Sequence, residues 1–213
     1  MERYKLYFRH IIPPFFILLE IIFFIIYYDN INYYEYEYSS TYDGYIITEY
    51  HGSGKILNIP SSYKNKPVVE IGVRAFFEND DIEEVILPST IKSIDKLAFS
   101  KCANLKSINL DNVEYIGNNA FSYCNSLDNI TIKATNILGS TFYKCYNLSN
   151  IVIEEGVKTI GSLAFSYTNI EELYLPYSFI KIYDEGFLYS ATKKIYAYND
   201  LDSIDGIEII KRV

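Results

Sequence analysis

Apolar residues recur along most of this chain on a fixed beat. From Ile82 the same order of apolar and polar positions restarts at Leu105, Leu127, Leu148 and Ile170, at intervals of 23, 22, 21 and 22 residues. In every copy an isoleucine is followed five residues later by a phenylalanine: Ile71/Phe76, Ile94/Phe99, Ile116/Phe121, Ile137/Phe142, Ile160/Phe165 and Ile182/Phe187. Alanine precedes four of these phenylalanines, with Thr141 and Gly186 before the other two. A cysteine stands three residues after three of them, as Cys102, Cys124 and Cys145. Glycine follows the isoleucine at Gly72, Gly117 and Gly161, and slips to Gly139 in the copy between the last two. A repeat of this length cannot bury its apolar face alone, so the period predicts stacked coils around one continuous core.

Two local periodicities alternate inside each copy. Ile108 and Leu110 flank Asn109, as Leu57/Ile59, Val85/Leu87, Ile130/Ile132, Ile151/Ile153, Leu173/Leu175 and Ile195/Ala197 flank their middle residues, which predicts short strands stacked in parallel. Ala120, Phe121, Cys124 and Leu127 share one helical face, which predicts a short helix or helical turn as the return limb, with an irregular limb as the alternative. Asn104, Asn147 and Asn169 close that limb, where a left-handed exit is expected. The pattern LxxIxLPxxIxxIxxxAFxxCxxL, clearest from Ile82 to Leu105, resembles the BspA-like leucine-rich repeats of bacterial and protozoan cell-surface proteins. The likeness runs from about residue 45 to 198 and implies an α/β-type repeat solenoid at a cell surface, more than any one activity.

The flanks break the beat. Residues 1–10 are basic through Arg3, Lys5 and Arg9, and residues 11–28 are apolar except for Glu20. Eighteen residues of helix span about 27 Å, close to a bilayer core. The basic flank places the N-terminus inside. A retained membrane anchor is the expectation, with a cleaved signal peptide as the competing reading; the bulky run after Tyr28 offers no small-residue cleavage site. Residues 29–44 are acidic and tyrosine-rich, without apolar periodicity, and read as a spacer. Residues 45–60 read as a capping hairpin, 61–191 as the repeats and 192–213 as a C-terminal cap that shields the end of the stack.

Charge and candidate chemistry narrow the function by exclusion. A net charge of −8 argues against nucleic acid, which needs a basic footprint. The cysteines occupy one slot of the repeat, filled elsewhere by Asn79, Thr168 and Ser190, so a small packed side chain explains them better than a metal or a disulfide. His10 and His51 are the only histidines, and no zinc spacing or phosphate-binding glycine loop is present. The adjacent carboxylates Glu83–Glu84, Glu154–Glu155 and Glu171–Glu172 read as a solvated face. No catalytic, cofactor or metal residues are expected, and the chain does not read as an enzyme.

What remains is a surface. The outward strand positions Asn58, Ile86, Asn109, Thr131, Val152, Tyr174 and Tyr196 should tile one sheet, the concave one in a leucine-rich solenoid. Towards the C-terminal end this row becomes aromatic. Tyr174, Tyr196 and Tyr198, flanked by Glu172 and Lys194, are the candidate ligand-binding residues. The expectation is a membrane-tethered surface protein, its repeats outside the cell, that binds or adheres to an extracellular protein, matrix component or glycan. The alternatives are a self-assembling structural subunit without a foreign ligand, and secretion in place of tethering.

Overall fold

The computed structural model describes residues 33–202 and 204–213. The apolar segment 11–28 lies outside them, and with it the expected anchor. Among the described residues no helix is long and apolar enough to cross a membrane.

The chain winds into a solenoid with two β-ladders. The first is built from the alternating strands: Ile56–Asn58, Glu84–Ile86, Ser107–Ile108, Asn129–Ile132, Asn150–Ile153, Glu172–Tyr174, Lys194–Ala197 and Glu208–Lys211. It pairs in parallel and in register within three groups, so that Leu57, Val85 and Ile108 align in the first, Ile130 with Ile151 in the second, and Leu173 with Ile195 and Ile209 in the third. The second ladder carries the isoleucines of the Ile/Phe pairs. Ile71, Ile94 and Ile116 align in one group, and Ile137, Ile160 and Ile182 in another.

The return limb corrects the sequence reading: the described residues contain no helix. A helix would close its amides on carbonyls four residues back. Here every other amide of the limb reaches the next coil instead. Leu97, Phe99 and Lys101 donate to Asn118, Ala120 and Ser122 at 3.2, 2.8 and 2.7 Å, and the limbs that follow repeat the scheme. Two left-handed residues in each limb make this possible: Leu97 and Lys101, Asn119 and Tyr123, Ser140 and Lys144, Leu163 and Tyr167. Most of these residue types disfavour that conformation by roughly 1–2 kcal/mol, which the hydrogen bonds between coils offset. The limb's inward residues still fall at i, i+1, i+4 and i+7, which is why it imitates a helix in sequence. Asn104, Asn147 and Asn169 are not left-handed. Asn104 instead donates through Nδ2 to the Asp80 carbonyl at 2.7 Å.

The core is a column of phenylalanines. Phe76, Phe99, Phe121, Phe142, Phe165 and Phe187 are all buried and stack ring on ring with centroids 4.7–5.5 Å apart. The cysteine slot lies against the column, and its cysteines and Thr168, besides being small, donate hydrogen bonds. Cys102, Cys124 and Cys145 each donate through Sγ to the carbonyl of the preceding coil's phenylalanine, Phe76, Phe99 and Phe121, at 3.0–3.1 Å. In the next coil Thr168 donates to Phe165 at 2.7 Å from the same slot. All three thiols are free and buried, and burial pushes the Cys102 thiol up to about 12. Cys124→Ser should therefore fold normally, because it keeps the donor. Thiol titration of the denatured chain without reductant should count three free thiols; a count of one would contradict this packing.

Both caps depart from expectation in informative ways. Residues 33–39, within the expected spacer, form a strand antiparallel to Gly44–His51. Their alternation was hidden because tyrosines serve as the inward residues: Tyr34 and Tyr36 pack against the core between the exposed Tyr33, Glu35 and Glu37. Tyr34 and Tyr50 lie 6.3 and 5.3 Å from Phe76 and close that end of the column. The hairpin expected within 45–60 does not form. Gly44–His51 joins the second ladder beside Lys66–Ile71, whereas Ile56–Asn58 opens the first. At the C-terminal end the Phe187 amide, whose equivalents donate to the next coil, is received by the Asp205 carboxylate at 3.1 Å. The strand Glu208–Lys211 closes the first ladder.

Candidate ligand-binding face

The first ladder presents two outward rows. One runs Ile86, Asn109, Thr131, Val152, Tyr174, Tyr196 and Ile210, the other Glu84, Ser107, Asn129, Asn150, Glu172, Lys194 and Glu208. The N-terminal half is occupied by its own hydrogen bonds. The Asn109 amide accepts from the Leu87 N–H at 2.7 Å and donates to the Leu87 carbonyl at 3.0 Å. Asn129 and Asn150 donate to Asp128 and Ser149 beside them. From Val152 onward the row is apolar: Val152 is 56 % and Tyr174 53 % exposed, and Tyr196 and Ile210 are half-buried.

Strand register places Tyr174 opposite Tyr196, and their rings stack at 4.5 Å with an interplanar angle of 2°. Glu172 and Lys194 are likewise opposite each other and 4.0 Å apart. The Tyr174 hydroxyl donates to Glu172 Oε2 at 3.2 Å. Partial desolvation, followed by that hydrogen bond, holds the Tyr174 phenol above its ordinary value. Tyr198 stands beside the pair.

Two members of the cluster were missed in sequence. Arg212 reaches back from the last strand, with its guanidinium 4.4 Å from the Tyr198 ring and 5.8 Å from the Tyr174 ring. Its Nη1 donates to the Leu175 carbonyl at 3.3 Å. Tyr177 packs edge-on against Tyr198 at 5.7 Å. Neither belongs to a repeated strand position, so the register gave no signal for them. The assembled face offers aromatic ring surface bounded by one carboxylate and two cations. Such a set suits ligands with both an apolar face and polar groups.

A second aromatic cluster lies along the return limbs. Tyr123, Tyr143, Tyr167 and Tyr189 follow one another at 5.0–5.7 Å, with the Lys144 ammonium 5.1–5.5 Å from the first three rings. Here a sequence signal existed: tyrosine two residues after the phenylalanine in three copies.

The remaining candidate chemistry resolves into structure. Four of the six carboxylates read as a solvated face, Glu83, Glu155, Glu171 and Glu172, have partners. Glu83 bridges Lys55 and Lys106 at 2.7 and 2.6 Å, and hydrogen bonds from Lys106 and Lys55 hold its carboxyl down to about 2. Glu171 pairs with Lys193 at 3.2 Å, and Glu155 accepts the amides of Tyr177 and Ser178. Strand pairing also assembles a donor set that sequence spacing did not reveal. Glu35, Glu49 and His51 bring one ligand atom each to within 4.8 Å of one another and could hold a metal ion. The His51 Nε2 lies 3.0 Å from Glu35 Oε1, within hydrogen-bond reach, and 3.8 Å from Glu49 Oε2.

The coil geometry defines a leucine-rich repeat solenoid. The chain belongs to the BspA type leucine rich repeat family, which matches residues 69–194 in six copies. Among solved structures it is similar to a leucine rich cell surface protein from Faecalibacterium prausnitzii, with 24 % identity, a TM-score of 0.57, and coverage of 78 % of this chain and 54 % of that one. The chain thus spans about half the length of that protein. It is also similar to the leucine rich repeat protein of T. pallidum, with 27 % identity, a TM-score of 0.50, and coverage of 76 % and 68 %. The pneumococcal vaccine antigen PcpA shares the fold, with 22 % identity, a TM-score of 0.55, and coverage of 71 % and 41 %. No curated protein matches.

Proposed function

We propose that this chain is a surface-display module that binds an extracellular protein, matrix component or glycan through the C-terminal part of its first ladder. The observation that carries this reading is the Tyr174–Tyr196 stack, with Tyr174 exposed and Tyr196 half-buried, and with Tyr198, Glu172 and Lys194 around it. Large rings held rigidly by strand pairing lose little side-chain freedom on binding, so contact with them is retained as affinity. The family match and the cell-surface protein among its structural relatives support display outside the cell. Residues 11–28 would serve as the membrane tether, with the basic segment before them inside. The net charge of −8 speaks against nucleic acid as partner.

The test is a panel of matrix proteins and glycans titrated with the purified full chain in detergent, with light scattering run in parallel. Saturable binding of a panel member by a chain that keeps one size is the expected result. Growth into larger assemblies with no panel member bound would favour the structural-subunit reading and contradict this one.

A further inference from the structure

The second ladder carries a cleft on a different part of the molecule from the tyrosine pair. It encloses about 750 Å³ and is lined chiefly by Tyr42, Glu70, Lys92, Asp95, Glu114 and Tyr115. Strand pairing sets Glu70, Ser93 and Tyr115 in one outward row. Asp95 occupies the position that Gly72 and Gly117 hold in the coils on either side, so neither neighbour crowds its carboxylate with a side chain. Asp95 Oδ1 accepts the Lys96 amide at 2.6 Å.

The charges in the cleft do not balance. Lys92 is the one cation among its lining residues, and it pairs with Glu114 at 3.7 Å. Among the described residues neither Glu70 nor Asp95 has an ion-pair partner. Burial, and then the Asp95 charge, push the Glu70 carboxyl above its ordinary value. Burial followed by Asp95 and Glu70 does the same to the Tyr115 phenol. A cation entering the cleft would offset the repulsion between Asp95 and Glu70. The carboxylates do not converge into a metal-ligating set in the way that Glu35, Glu49 and His51 do. The volume falls in the range of about 300–1,000 Å³ typical of organic ligand pockets. Tyr42 and Tyr115 add exposed ring faces, which attract organic cations.

We infer that this cleft receives a basic side chain of a partner polypeptide, arginine above all, with Glu70 and Asp95 holding the guanidinium and Tyr42 and Tyr115 stacking against it. A planar, always-charged fork suits two carboxylates and an aromatic wall better than a point charge does. The inference stands apart from the tyrosine face on the first ladder, and either can fail without the other.

The experiment is calorimetric titration of the full chain, at low salt, with acetyl-Ala-Arg-Ala-amide, with the same peptide carrying citrulline for arginine, and with calcium chloride. The arginine peptide should bind, and the uncharged isostere should bind at least about tenfold more weakly. Glu70→Gln with Asp95→Asn should abolish the arginine signal while the chain stays folded, since these changes relieve like-charge crowding. Tyr174→Ser should leave it unchanged. The proposal is overturned if the arginine peptide does not bind, if both peptides bind alike, or if the double substitution has no effect. It is also overturned if calcium alone binds and the double substitution removes that binding, because the site would then be one for inorganic cations.

Discussion

Phe121→Ala should lower the unfolding free energy by about 3–5 kcal/mol, the range for a fully buried aromatic side chain. Phe121 is wholly inaccessible and sits in the middle of the column, 5.5 Å from both Phe99 and Phe142 and nearly parallel to each. The cavity left behind could close only if the neighbouring coils approached. They are held apart by backbone hydrogen bonds that alanine would not disturb: the Phe121 amide to Thr141 at 3.0 Å and the Phe99 amide to Ala120 at 2.8 Å. The void therefore persists, which places the cost toward the upper part of the range. Each coil of a solenoid contacts only its neighbours, so a weakened middle coil should also uncouple the two ends and broaden the transition. Phe77→Ala is the control. That residue directly follows Phe76, the counterpart of Phe121 in an earlier coil, but is only half-buried, beneath Arg74 and Lys101 on the outside of the limb, and its loss should cost much less. Denaturant unfolding of both variants checks this. A loss below about 1 kcal/mol for Phe121→Ala would mean that the column does not hold the stack together.

Gly117→Ala should also destabilise, by about 1–3 kcal/mol, through overpacking rather than a void. A β-carbon there would lie 2.5 Å from the Lys96 nitrogen and 2.8 Å from the Asp95 carbonyl carbon. Both are backbone atoms, so no side chain can swing away. The coil would have to lift, straining the Gly117 amide's 2.8 Å bond to the Ile94 carbonyl and the pairing of Tyr115–Ile116 with Ser93–Ile94. Gly161 meets its neighbour in the same way, at 2.7 Å from the Gly139 nitrogen. Gly139→Ala is the matched control. Its nearest approach is 3.4 Å, an ordinary contact, and it should be nearly neutral. Equal losses at Gly117 and Gly139 would contradict the close approach of coils as the reason for the glycines.

These two residues show how much could be read beforehand. The Phe beat and the Ile alternation are one-dimensional signals of a one-dimensional stack, so period, register and core followed from them. The Tyr174–Tyr196 pair was legible for the same reason, because equivalent positions in neighbouring coils must be neighbours in a parallel ladder. The return limb was misread because its inward residues share the spacing of a helix face. What distinguishes the two is where the amides go, and Leu97, Lys101 or Tyr123 carry no sequence mark of a left-handed turn. The first strand was hidden in Tyr33–Ser39, since tyrosine serves there on both faces. Arg212 and the Glu35–Glu49–His51 cluster depend on contacts among the caps that no repeat position specifies, whereas Glu70 and Asp95 stand at repeat positions whose residue types vary from coil to coil.

The most direct test of binding through the first ladder is the affinity of the full chain carrying both Tyr174→Ser and Tyr196→Ser for the panel member that the unaltered chain binds. Tyr123→Ser with Tyr189→Ser, on the return-limb cluster, is measured beside it. The first pair should weaken binding at least about tenfold, close to 1.4 kcal/mol, with the folded spectrum unchanged, and the second pair should leave it as it was. Unchanged affinity in Tyr174→Ser/Tyr196→Ser, or a loss confined to Tyr123→Ser/Tyr189→Ser, would contradict the account.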